Sequence, residues 1–192
     1  MSSDLHPKPN EPRGDPSRHL ALADLESRLL ALPEAPKNAG TLALIVRRLA
    51  DGARDTPHSV LLSSERGVPG DDWALRPPRN PEAQLAVMRR DVAELVANGQ
   101  PLTVSGDNLI VDLDISAENL PAGTRLRVGD ALVEVTPKAH NGCVKFQGRF
   151  GQDALRFVNA KPTRHLNLRG MYWKVLEAGE AAVSATIRVL SR

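Results

Sequence analysis

Beyond Pro101 the chain breaks into short apolar runs at close intervals, and no other feature limits its fold so tightly. Leu109-Ile110-Val111 and residues 125–128, 131–135, 171–175 and 186–190 are rich in Val, Ile and Leu. Such short runs at close intervals read as strands. Gly129-Asp130 separates two of the runs and has the chemistry of a two-residue hairpin turn. No internal repeat is visible, and no rhythm of strand alternating with helix, so a doubly wound parallel sheet is a poor fit. Many short strands with few helices predict a mainly β fold, a compact barrel with a few flanking helices.

The upstream half supplies those helices. Leu22, Leu25, Leu29 and Leu32 recur at near-helical spacing before Pro33, which predicts a helix over residues 17–32. Residues 41–46 look like a strand opening the main domain, with residues 58–63 as its partner and 51–57 as the connection. Residues 67–80 read as a loop whose length points to a function. From Pro81 to Ala97 the pattern predicts the clearest helix. Asn80 is a good cap, Pro81 fits the first turn, and Leu85, Met88, Val92, Leu95 and Val96 form one apolar stripe. Further along, residues 151–158 are expected to form one short helix. The predicted organisation is a disordered Pro-rich tail over 1–16, a helical extension over 17–39 and a barrel domain over 40–192.

Composition excludes several function classes. A formal net charge of +2 and only two Trp, one Tyr and three Phe leave little for a polyelectrolyte surface or a base-stacking platform, so no nucleic acid is expected. The single cysteine forbids an internal disulfide and any Cys-rich zinc site. The five histidines show no paired metal-binding spacing. No apolar run reaches the length of a membrane span, and residues 1–16 carry no apolar segment of the secretory kind. A cytoplasmic protein with no membrane partner is the expectation.

Chemistry concentrates at Cys143. It lies in the stretch Lys138-Ala139-His140-Asn141-Gly142-Cys143-Val144-Lys145-Phe146, with Arg149 just beyond. A thiolate is both nucleophile and soft metal ligand, and cationic neighbours favour it. His140 is placed to act as its proton partner, and Gly142 lets the backbone approach a neighbour closely. A lone Cys is also commonly a small buried hydrophobe, so its exposure separates the two readings. Among other candidates, Asn108 can serve a ligand or merely hold a turn. Asp71 and Asp72 can line a mouth or keep a loop soluble, and Trp73 suits a plug over the barrel.

Four stretches, taken in order, carry a resemblance. They are residues 105–111 (Ser-Gly-Asp-Asn-Leu-Ile-Val), residues 119–131, His140-Asn141-Gly142-Cys143 through Arg149-Phe150-Gly151, and residues 169–179. Together they resemble the MOSC domain, named for the C-terminal part of molybdenum cofactor sulfurases, over roughly residues 40 to 190. The resemblance implies a β-barrel with a functional cysteine that either binds molybdenum cofactor (molybdopterin) or carries sulfur. In amidoxime-reducing members that cysteine is a molybdenum ligand, and Cys143 occupies the matching position. Asn108 falls where the family makes polar contacts near the cofactor, and Lys145 and Arg149 are suited to a pterin phosphate. As an enzyme, such a protein would reduce N-hydroxylated compounds with molybdenum or transfer sulfur. Its partners would be a small-molecule cofactor or substrate and a sulfur donor or redox protein.

Two departures motivate an alternative, a non-catalytic barrel serving as a binding module. No His-Gly-Gly follows Gly67–Trp73, and Ser184-Ala185 stands where the family has Gly-Asp. A functional barrel should bring Asn108, His140, Cys143 and Arg149 to one concave pocket, bordered by residues 67–73. That pocket should be positive through Lys138, Lys145 and Arg149.

Overall fold

The computed structural model describes residues 8–75 and 78–192. Eleven strands are defined in it: β1 (Ala39–Ile45), β2 (Arg47–Arg48), β3 (Arg54–Asp55), β4 (Ser59–Leu62), β5 (Leu85–Arg89), β6 (Leu109–Asp112), β7 (Arg125–Val128), β8 (Ala131–Val135), β9 (Met171–Glu177), β10 (Gly179–Ala182) and β11 (Thr186–Ser191). The α-helices are α1 (Leu22–Leu30), α2 (Arg90–Ala97), α3 (Val144–Phe150) and α4 (Gln152–Val158). Seven strands close into a barrel in the order β1-β11-β7-β8-β9-β5-β6. Every neighbouring pair is antiparallel except β5 with β6. A parallel pair needs a crossover, and α2 supplies it. Closure removes the exposed sheet edges that short strands otherwise present.

Alternation explains most of the barrel. Along β9, Met171, Trp173 and Val175 are buried and the residues between them are less so. Trp173 is fully buried in the interior with Leu85, Val87, Leu109, Val133 and Ile187, and its Nε1 reaches Met171 Sδ at 3.1 Å. Gly129 takes φ 56° at the β7–β8 turn, and Val128 pairs with Ala131 across it. A second apolar layer lies outside the barrel. There Leu25, Met88, Val92, Val96, Ile110, Phe146, Phe150 and Phe157 pack the helices against β5 and β6.

This second layer corrects one expectation. The predicted helix from Pro81 to Ala97 is a 3-10 turn at Pro81–Ala83, then strand β5, then α2. Leu85, Ala86, Val87 and Met88 are all buried, because β5 faces the barrel on one side and helices on the other. A strand covered on both faces loses the period-two signal and reads as a continuous apolar run. Residues 58–63 also behave differently from expectation. β4 pairs with β10, while β1 pairs with β11 and β6. Helix α3 and strand β10 were not anticipated. The hairpin turn before β11 holds Ser184 at φ 71°, the left-handed conformation that a glycine accepts most easily.

The expected helix over 17–32 is a 3-10 turn at Pro16–Arg18 and then α1. Residues 1–7 of the expected disordered tail lie outside the described residues. Residues 8–16 make polar contacts with the rest of the chain. Asn10 N donates to Asp51 O at 3.1 Å, Asn10 Nδ2 to Asp51 Oδ2 at 2.8 Å, and Asp15 N to Gln100 Oε1 at 2.8 Å. Hydrogen bonds and ion pairs fix the segment where apolar burial cannot. Among the described residues, no helix is long and apolar enough to cross a membrane.

Candidate functional site

A cleft of about 420 Å³ opens beside the barrel, within the size range of small-molecule sites. Four parts of the chain build much of its charged wall, and Lys8, Glu11, Asp72 and Arg79 complete it. The β2–β3 hairpin places Arg48 and Arg54 directly across from each other. Like charges in that position repel. The loop before β6 contributes Ser105, Gly106 and Asp107; α3 contributes Lys145 and Arg149; and the turn before β9 contributes Arg169. Seven cationic side chains and three carboxylates line the cleft among the described residues.

Each arginine is held by a specific contact. Arg48 donates through Nε and Nη2 to the two oxygens of Asp71, at 2.9 and 2.6 Å, and Asp71 is 1% exposed. Arg169 Nη1 reaches both oxygens of the fully buried Asp107, at 2.8 and 3.0 Å. Arg149 Nη1 donates to Ser105 O at 3.0 Å. Arg54 Nη1 donates to Gly52 O at 2.5 Å. Gly106, at φ +76°, runs beneath the guanidinium groups, and a Cβ there would lie 3.4 Å from both Arg149 Nη1 and Arg54 Nη2.

The cluster is electrostatically incomplete. Burial pushes Arg54 down to about 10, and the nearby Arg149 and Arg48 push it the same way. Arg54 Nε, Arg169 Nε and His140 Nδ1 are buried without a hydrogen-bond partner. Their side chains are 8, 9 and 8% exposed. Unmade hydrogen bonds on buried groups cost free energy.

The sequence candidates divide here. Cys143 is exposed, lines the cleft and sits at the N-terminal edge of α3. Its loop is clamped to α4, with Gly142 N donating to Asn159 Oδ1 at 2.9 Å and Asn159 Nδ2 to Gly142 O at 3.1 Å. Gly142 serves close approach: a Cβ there would stand 2.8 Å from Leu155 Cδ1. Lys145 and Arg149 join Cys143 in the cleft. His140 lines it too, stacked on Tyr172 with ring centroids 4.3 Å apart. Burial, and then Arg169, push His140 down to about 3 despite Asp107, so its ring is neutral at physiological pH.

Asn108 does not line the cleft. Its Oδ1 accepts from Ala86 N and Arg48 Nη2, and its Nδ2 donates to Val46 O and Asp71 Oδ2, so its amide is used internally. It positions the Arg48–Asp71 pair, while the preceding residue, Asp107, forms part of the wall. Lys138 is exposed and lies outside the cleft. Asp72 and Trp73 do line it, and Trp73 Nε1 donates to Asn80 O at 3.2 Å. Trp73 is thus wall, not a plug over the barrel. Arg76 and Pro77 of the same loop lie outside the described residues. Sequence reading missed Arg48, Arg54, Asp107, Arg169 and Glu11. The one available signal was the crowding of Arg47, Arg48 and Arg54 in a short segment.

The family model described as the MOSC domain matches residues 79–189. Among solved structures, a hypothetical protein superposes with TM-score 0.59 at 18% identity, over 81% of this chain and 70% of its own. YiiM from Escherichia coli gives 0.51 at 19%, over 79% and 70%. YuaD from Bacillus subtilis gives 0.59 at 15%, over 81% and 97%. At such identities the likeness speaks for the fold. The search of curated proteins finds no match.

Proposed function

The chain belongs to the MOSC domain family, and we propose that its cleft binds an anionic, phosphorylated cofactor of the molybdopterin class beside Cys143. The observation that carries this reading is the convergence of Arg48, Arg54, Arg149 and Arg169 on one cleft, with two guanidinium nitrogens lacking acceptors. Arginine suits phosphate because its fork of donors matches the oxygens of the group. Arg54 and Arg149, next to the open backbone of Gly106, would hold the phosphate. Cys143 would supply the soft sulfur ligand at the rim.

Such a cofactor, when bound, supplies two-electron redox chemistry at molybdenum. The chain's own residues bind, orient and screen. Asp107 fixes the Arg169 guanidinium, and Asp71 and Asn108 fix Arg48. The neutral His140, backed by Tyr172, offers a hydrogen-bonding nitrogen without adding charge. The wall matches an anion better than a cationic or apolar ligand.

The test is molybdenum content per chain after expression in a host that makes the cofactor. Wild type should carry the metal, and Cys143→Ser should carry much less. A second reading, sulfur carriage by Cys143, is favoured by the exposure of the thiol. It expects no molybdenum in either protein and a persulfide on Cys143, detectable by mass spectrometry.

A further inference from the structure

The segment that should be a loose tail places one side chain in the middle of the arginine cluster. Glu11 Oε1 lies 2.5 Å from Arg149 Nη2 and 4.0 Å from Arg54 Nη2, and both of its oxygens lie 3.4 Å from Lys145 Nζ. Its carboxylate therefore occupies the groups assigned above to the ligand's phosphate. We propose that Glu11 is a tethered competitor of the anionic ligand, and that residues 8–16 form a strap which must lift for the cleft to fill. This inference rests on the reading of the cleft as an anion site.

Two further features support a strap that closes and opens. The first is its fit when closed. A Cβ on Gly14 would stand 1.9 Å from Arg149 O, and one on Gly52 would stand 2.6 Å from Lys8 Cβ and 2.8 Å from Glu11 N. The strap lies flat because glycine is present on both sides of the contact. The second is the nature of its anchors. None of residues 8–16 is buried, and the segment is tied by polar contacts to Asp51, Asp72 and Gln100. It can detach without exposing the core.

The charge balance favours exchange. Glu11 brings one negative charge to a cleft holding seven cationic side chains, and it leaves Arg54 Nε and Arg169 Nε without acceptors. A phosphate brings more charge and more oxygens. An internal carboxylate is therefore strong enough to shield the arginines from stray anions and weak enough to be displaced.

The test is titration of the full chain with inorganic phosphate, followed by calorimetry and by the rise in melting temperature. If the strap is closed about nine-tenths of the time, Glu11→Gln should bind phosphate about tenfold more tightly than wild type. Asn10→Ala, which loosens the strap without touching the arginines, should shift affinity in the same direction by a smaller factor. Arg54→Met should lose binding in both the wild-type and Glu11→Gln backgrounds. Equal or weaker binding by Glu11→Gln, with Arg54→Met still losing it, would overturn the strap while leaving the anion site standing. Phosphate binding that is absent from wild type and Glu11→Gln alike, or indifferent to Arg54→Met, would overturn both.

Discussion

The barrel interior and the arginine cleft lie on either side of the same strands and obey opposite rules. Inside, Leu85, Val87, Val133, Trp173 and Ile187 fill the space with apolar surface, and the Trp173 ring nitrogen has a partner. In the cleft, Arg54 and Arg169 are nearly as buried, yet each keeps a nitrogen without a partner. The interior is complete without a ligand. The cleft brings several cationic side chains together against few carboxylates, and such strained, charged clefts are where binding sites are commonly found.

The largest effect should come from the interior. Trp173→Ala should lower unfolding free energy by about 3–5 kcal/mol, the usual cost of removing a fully buried large aromatic, read from the urea midpoint. An effect below ~1 kcal/mol would mean the barrel interior is not closely packed. Asp107→Ala should come next, at roughly 3 kcal/mol, because it strands the buried Arg169 guanidinium without its carboxylate. Urea unfolding of that variant at neutral pH checks the value.

The third effect is one of pH. His140 is held near 3 in the folded chain, against an ordinary value of 6.5. As pH falls below 6.5 the unfolded chain takes up a proton that the folded chain refuses, so stability present at neutral pH is lost on acidification. Down to pH 5 the loss from this residue is about 2 kcal/mol. Carboxylates such as Asp107, whose pKa burial raises but Arg169 brings below the usual value, add to the loss only at lower pH. His140→Phe, which keeps an aromatic ring against Tyr172, should flatten the curve between pH 6.5 and 5. Urea midpoints at both pH values read the difference, and identical slopes in the two proteins would refute a buried neutral imidazole.

The smallest effect has the opposite sign. Arg54→Met relieves the repulsion from Arg48 and Arg149, and should raise stability by about 1 kcal/mol, or 2–4 °C in melting temperature for a chain of this size. A core substitution that stabilised the fold while abolishing ligand binding would be unusual; in this cleft it is the expected outcome. A lower melting temperature would show that Arg54 is structural.

These two regions were unequally legible in the sequence. The β7–β8 hairpin could be read from two short apolar runs and the Gly129-Asp130 turn between them. Strand β5 could not, because burial on both faces erases the alternation that distinguishes strand from helix. In the cleft, Cys143, His140, Lys145 and Arg149 were legible because one short stretch carries them all. Asn108 was read for Asp107, one residue away, since neighbours along an extended backbone face opposite sides. Arg48 and Arg54 come together only through a short hairpin, and Glu11 arrives from a segment whose proline content resembles that of disordered tails. Contacts spanning 138 residues, as between Glu11 and Arg149, leave no local pattern to read.

The reading of the cleft as an anion site of the molybdopterin class meets its plainest test in pterin content. Wild type and Arg54→Met should be purified from a host that makes molybdenum cofactor, and the released pterin measured by fluorescence per mole of folded chain. Wild type should carry pterin approaching one per chain, and Arg54→Met, folded and at least as stable, should carry almost none. Folded wild-type protein without pterin, or equal pterin in the two proteins, would contradict the assignment of the arginine cluster to the cofactor phosphate.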